Sequence, residues 1–307
     1  MLYPAAHSSS SRSLYTAVLG ALLCLGALSI APTNASAADL QLQGKLEQGA
    51  LVRGTVPAGS KVSLNGKALR VSPEGRFAFG LDREAELEQR LELVYPDGLT
   101  EIKPLKIAKR DYQIQKVTGI SKKIMEPSEA DRARAAKDAA MVKAARGTDS
   151  NLTAFGSEFI WPLTGRISGV YGSQRVYNGV PGNPHYGVDV AAKTGTVVVA
   201  PADGVISLSV PDMFYSGGTL IIDHGYGVSS SFLHLSKLYV KTGDKVKQGD
   251  KVAEVGATGR ATGPHLDWRL NWYQMRLDAS SLVPPMEQVL DAPKKPAVQG
   301  QPRQQGK

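Results

Sequence analysis

The runs GGTLIIDHGYGVSSSFLHLSKL (residues 217–238) and HLDWRLNW (residues 265–272) decide the fold. Both are strand-like, rich in β-branched and aromatic residues, and glycine-containing turns punctuate the chain around them. VVVAPADGVISLSV (197–210) and DKVKQGDKVAEVG (244–256) continue the pattern, and no long helical periodicity intervenes before PMEQVL (285–290). An all-β, antiparallel domain is therefore expected over residues 151–290. Working outward, residues 38–115 hold shorter alternations: LQLQGKLEQGALVRGTV (40–56), KVSLNGKALRV (61–71), RFAFGL (76–81) and LELVYPDGLTEIKPL (91–105). Asn65-Gly66 and Asp97-Gly98 mark hairpins, and five to seven strands predict a small β-sandwich-like domain. It contains no histidine. A spacer, wall-binding or inhibitory role suits it better than catalysis.

Between the two, residues 116–150 change character. Pro127-Ser128-Glu129-Ala130-Asp131 can open a helix with Ser128 as N-cap and Asp131 completing an imperfect capping box. The Ala-rich, weakly amphipathic RARAAKDAAMVKAAR (132–146) predicts an exposed helical linker ending near Gly147. Residues 291–307 are Pro/Gln/Gly-rich and basic, without apolar periodicity, as in a disordered tail. At the other end, Arg12, an apolar run from Leu14 to Ala31 and the small residues Ala35-Ser36-Ala37 read as a secretory signal peptide over residues 1–37, with cleavage after Ala37. The alternative is an uncleaved membrane anchor, since the run is just under the ~20 residues that span a bilayer. Leu23 is too bulky to precede a lipid-attachment cysteine at Cys24. The expected compartment is periplasmic or extracellular, with no stable membrane span after cleavage.

Composition narrows the chemistry. The 307 residues include 42% hydrophobic and 21% charged side chains, enough apolar content for a buried core, and about two domains at roughly 150 residues each. The single cysteine, Cys24, excludes an intramolecular disulfide framework and a multi-cysteine metal site. The formal charge of +8 falls by one when the leader removes Arg12. This charge suits a polyanionic envelope neighbour or a simple solubility surface. Nucleic acid is excluded as a partner, because no basic run is interleaved with aromatics and no recognition-helix or zinc-finger signature occurs.

Chemistry must then come from histidine, carboxylate or hydroxyl groups. Of five histidines, the leader takes His7 and the other four fall in the second domain. His185 and Asp189, four apart, share a face in a helix or a strand, and the flanking Val188 and Val190 favour the strand. His265 and Asp267, two apart, project from one face of a strand, with Leu266 and Trp268 on the other. His234 falls with Phe232 or on a polar face, depending on burial. His224, between Asp223 and Gly225, reads as a turn residue. Three histidines and two carboxylates at same-face spacings make a metal or acid–base site.

At these residues the sequence resembles the lysostaphin/LytM-type zinc metallopeptidases, which act as peptidoglycan endopeptidases. The resemblance covers Phe159 to Leu282 and rests on HYGVDVAA, GTVVVAPADGVI, GGTLIIDHGYG, FLHLSKLYVKTGDKVKQGD and VGATGRATGPHLDWRL, in the family's order. FIWPLTGRISGVYGSQRVYNG ahead of them is similar to exported Gram-negative members. The resemblance implies one Zn²⁺ with His185 and Asp189 as ligands, and His234 and His265 as the catalytic pair. The family's third ligand is the second histidine of an H-x-H, and here that position is Asp267. An aspartate oxygen can reach as far as a histidine Nδ1, but two carboxylates leave the ligand shell neutral. A neutral shell acidifies the attacking water less and favours harder ions. The implied function is a zinc-dependent endopeptidase of cell-wall peptidoglycan. The alternative is a catalytically silent domain of the same fold that binds peptidoglycan or activates a cell-wall amidase. An adhesive envelope protein using its basic tail is a third reading.

Overall fold

The computed structural model describes residues 40–117, 128–177 and 179–291. The expected leader and the tail beyond Asp291 lie outside the described residues. Among the described residues, no helix is long and apolar enough to cross a membrane.

The N-terminal region has two small sheets. Strands β1 (Gln41–Gln43), β2 (Leu51–Thr55) and β5 (Arg76–Gly80) make one, in that order. Strands β3 (Lys61–Leu64), β4 (Lys67–Leu69), β6 (Glu88–Val94) and β7 (Thr100–Lys106) make the other, in the order β4-β3-β6-β7. Asn65 and Gly66 both take positive φ, 49° and 74°, as the two-residue turn joining β3 to β4 requires. Period-2 alternation explains how the three-stranded sheet is buried on both faces. Val52, Phe77 and Phe79 face the other small sheet, where they meet Leu91 and Leu93. Leu51 and Ala78 point the opposite way, into the core of the C-terminal region. The Arg110–Asp278 ion pair, 2.7 Å, reinforces that contact.

Strand β8 (Ile114–Val117) pairs in parallel with β10 (Gln174–Tyr177), which also pairs with β11 (Val180–Pro181). Helix α1 (Glu129–Arg146) begins where the sequence places it, with Ser128 Oγ accepting from Asp131 N at 3.1 Å, and ends at Gly147. It is less exposed than the sequence suggests. Met141, Val142 and Ala145 pack on Leu208, Met213 and Ile221 of the large sheet. A weakly amphipathic helix needs only a narrow apolar stripe to dock.

The large sheet comprises β9 (Arg166–Gly169), β12 (Val188–Ala191), β13 (Val197–Val199), β14 (Gly204–Met213), β15 (Gly217–Gly225), β16 (Val228–Leu238), β17 (Lys245–Val246), β18 (Lys251–Val255), β19 (His265–Trp272) and β20 (Met275–Leu277). Its main order is β17-β14-β15-β16-β19-β12-β9, and β13–β18 and β20 attach to β16 and β19. A short helix α2 (Met286–Asp291) follows. The fold is mostly β, as the alternation predicts. Leu220, Ile222, Phe232, Leu266, Trp268 and Val190 bury one face. Trp161 lies edge-on to Trp268 at 5.5 Å and donates its indole N–H to Pro284 O at 2.8 Å. Register puts a second set on the opposite face: Asp189 opposes Asp267, Leu233 opposes Asp267, and Ser231 opposes both Arg269 and Ile221. Because Ile221 contacts helix α1, the helix covers this same face beyond Arg269.

His224 belongs to the core side. It sits at the end of β15 rather than in the turn expected from its neighbours, fully buried. Nδ1 lies 2.7 Å from Asp203 O and therefore donates, so Nε2 accepts from Ser230 Oγ at 3.0 Å. Burial pushes its pKa down to about 4. The folded value lies below the unfolded one, so the stability involved is complete above pH 6.5 and is lost as pH falls from there toward 4. The loss should reach about 3 kcal/mol. Urea unfolding at pH 7, 6, 5 and 4 should show this decline, and His224→Gln should flatten it. An equal decline in the variant would assign the acid sensitivity to other groups.

Candidate metal centre

The site assembles on the uncovered end of the second face. Asp189 leaves β12 directly opposite Asp267 of β19. The sequence reading puts His185 on the same strand face as Asp189, but β12 begins only at Val188. His185 instead reaches over from the preceding loop. Two backbone hydrogen bonds pin it there: His185 N to Ser173 O and Gly172 N to His185 O, each 2.7 Å. Two glycines make room for the carboxylates. A Cβ at Gly187 would stand 2.0 Å from Asp267 Oδ1, and one at Gly169 would stand 2.3 Å from Asp189 Oδ2.

His185 Nε2 and Asp189 Oδ1 are both buried and stand 3.1 Å apart, at ion-pair distance, but make no well-formed hydrogen bond to each other or to any other group. Buried polar atoms left unsatisfied are costly unless something lies between them. Two ligand atoms on a tetrahedral zinc are separated by roughly 3.4 Å, so this imidazole nitrogen and carboxylate oxygen fit one such ion. Asp267 brings an oxygen within 4.8 Å of both. Burial disfavours the imidazolium form of His185, but Asp189 and Asp267 outweigh it and hold the pKa above its ordinary value.

His234 and His265 complete the cluster, their ring centroids 4.8 Å apart. His265 Nε2 lies 3.9 Å from Asp189 Oδ1. Strict alternation from Phe232 would send His234 into the core. Its backbone instead takes φ 64°, and at this point β16 shifts its pairing from β19 to β18. That left-handed residue breaks the alternation and brings the ring to the site, a local strain of the kind functional sites retain. The Nδ1 atoms of both histidines lie 2.8 Å from backbone carbonyls, Thr258 O for His234 and Gly263 O for His265. A carbonyl only accepts, so both Nδ1 atoms carry the proton and each Nε2 keeps its lone pair. Burial holds the pKa of His234 below its ordinary value.

Residues 183–279 match peptidase family M23. This domain belongs to that family. Beyond the matched segment, a crystal structure of a putative M23 peptidase from Pseudomonas aeruginosa superposes with a TM-score of 0.59 at 27% identity, covering 78% of this chain and 95% of that one. The peptidoglycan DD-endopeptidase ShyA of Vibrio cholerae is 42% identical over 87 residues, 28% of this chain and 20% of ShyA. An uncharacterized metalloprotease of Haemophilus influenzae is 36% identical over 110 residues, 36% of this chain and 20% of its own. The shared segment thus spans about a fifth of these curated relatives.

The M23 site of this chain contains a residue the sequence reading missed. Arg269 holds Asp267 through Nη2 to Oδ2 at 2.6 Å and Nε to Oδ1 at 3.0 Å. Burial disfavours the charge on Asp267, but Arg269 outweighs it and keeps the pKa below the usual carboxylate range. The signal was in the sequence, since a residue two beyond Asp267 on a strand shares its face. The Gly187 cradle gives a direct test of this arrangement. Gly187→Ala should displace the Asp267 carboxylate, lower stability by about 2 kcal/mol through the disturbed buried ion pair, and reduce bound zinc. Thermal unfolding and metal analysis read both effects, and a variant unchanged in both would show that the cradle is not needed.

Proposed function

We propose that this protein is an exported, metal-dependent endopeptidase that hydrolyses peptide bonds in cell-wall peptidoglycan. The observation that carries the reading is the buried pair of facing atoms, His185 Nε2 and Asp189 Oδ1, 3.1 Å apart without a well-formed hydrogen bond, beside two histidines tethered through Nδ1. His185, Asp189 and Asp267 are the residues that would hold zinc, which when bound supplies Lewis acidity at the scissile carbonyl. The chain's own groups do the proton work. With Nδ1 committed to a carbonyl and its pKa lowered by burial, His234 is neutral at pH 7 and suited to take a proton from the attacking water at Nε2. His265, tethered the same way, presents an Nε2 lone pair that can accept a hydrogen bond from the attacking water and orient it, and His234, once protonated, can return its proton to the leaving amine. Peptidoglycan as substrate is supported by relatives such as ShyA and ShyB, both peptidoglycan DD-endopeptidases of Vibrio cholerae. A periplasmic or secreted location follows from the leader read in residues 1–37.

One observation favours a second reading. Arg269 already engages both oxygens of Asp267, which suits a silent domain that docks on peptidoglycan or on a cell-wall amidase. Release of new amino groups from purified peptidoglycan separates the two. The endopeptidase should release them in the presence of zinc and stop under a chelator, and His234→Ala should lower kcat/KM by about 10² to 10⁴. Release indifferent to both would sink the peptidase reading. A protein that binds peptidoglycan but neither takes up zinc nor releases amines would favour the silent one.

A further inference from the structure

The third ligand position of this site is contested. Asp267 is almost wholly buried, and its neighbour Arg269 on the same strand face donates Nε to Oδ1 at 3.0 Å and to Oδ2 at 3.1 Å, and Nη2 to Oδ2 at 2.6 Å. A guanidinium fork seated on both oxygens occupies lone pairs that a cation could use, and its charge opposes the cation at those that remain. The surroundings add positive charge rather than removing it. Arg146, at the end of helix α1, is 8% exposed and its Nε is buried without a partner. Burial first, then Arg276 and Arg269, push its pKa down to about 9. Arg276, whose guanidinium lies 4.6 Å from the centre of the Tyr186 ring, interacts with Arg269 and Asp267 as well. Three guanidinium groups thus act on Asp267. Asp189, by contrast, has an oxygen without any hydrogen-bond partner.

Building on the metal-dependent reading above, we infer that Arg269 is a resident competitor for Asp267 that sets the metal affinity of the site. A divalent cation that takes an Asp267 oxygen does so against the guanidinium's hydrogen bonds and its charge. The site therefore binds its metal weakly and exchanges it readily. Arg269 is in this sense a positioning residue, acting through the ligand it holds.

Metal affinity tests this without reference to turnover. The purified protein, stripped by a chelator, is titrated with Zn²⁺ against a chromophoric zinc indicator, and thermal unfolding is recorded with and without excess Zn²⁺. Arg269→Met and Arg269→Gln should each bind zinc at least tenfold more tightly than wild type and show a larger zinc-induced rise in Tm. The methionine variant leaves a buried carboxylate without a counter-charge and should unfold at lower temperature when metal-free. The glutamine variant keeps a hydrogen-bond donor and guards against a loss of fold. Asp267→Asn should bind zinc more weakly than wild type. Tightening in both Arg269 variants supports the inference whether or not peptide bonds are cut. Unchanged or weaker binding in both overturns it even if peptide release persists, as does equal binding by Asp267→Asn. Failure of every protein to bind zinc overturns this inference and the metal-dependent reading together.

Discussion

Asp189 and Asp267 are direct cross-strand partners on one face of an antiparallel pair, an arrangement that places two carboxylates within touching distance and is destabilising unless charge is supplied. Much of the second domain's local structure answers that constraint. Gly169 and Gly187 leave out the side chains that would collide with the two carboxylates. The loop carrying His185 is fastened by paired backbone hydrogen bonds so that its imidazole meets Asp189. Arg269 neutralises Asp267 from the same strand. On the reverse side of the strands, Trp268, Leu266 and Val190 are fully buried, which fixes the register that keeps the carboxylates opposed.

The two faces of the sheet handle histidine differently. His224 on the core side has both ring nitrogens satisfied and its charge suppressed, so it serves packing. His234 and His265 on the site side each spend one nitrogen on a carbonyl and keep the other. The difference comes from the backbone. At His234 the chain adopts a left-handed conformation and changes partner strand, so a residue that alternation assigns to the core is delivered to the site. A ring fixed through Nδ1 has lost most of its rotational freedom before any substrate arrives, and this is the sense in which the site is preorganised.

How much of this could be read in the sequence depended on whether a feature was local. The alternations, the Asn65-Gly66 turn, the Ser128 cap and the same-face placement of His265 and Asp267 follow from periods of two residues or from single-turn chemistry, and the structure agrees with them. His185 was harder, because its approach to Asp189 is made by a loop and not by a strand repeat. The φ of His234 leaves no trace in composition. Helix α1 looked exposed because its apolar stripe is narrow, and only the sheet reveals that Met141, Val142 and Ala145 have somewhere to go. Arg269 was legible by the same period-2 rule that placed Asp267, but arginine on a strand is ordinarily a solvated residue, so the rule alone gave it no role.

The charge ledger of the site looks different once Arg269 is included. Counting ligands alone, one histidine and two aspartates cancel a divalent ion, and such a shell would acidify the attacking water less than the family's shell with two histidines and one aspartate. Asp267 and Arg269 together are neutral, however, as the histidine they stand in for would be. A divalent ion bound beside that pair and Asp189 leaves one net positive charge, the same as in the family's arrangement. The net charge that an ion held there would present would therefore be largely restored, because Arg269 is in direct contact with Asp267. What Arg269 takes away is affinity, since its hydrogen bonds and its charge both oppose the incoming cation. On the proposed reading, aspartate at position 267 would bear more on how firmly a metal is held than on the charge that metal presents.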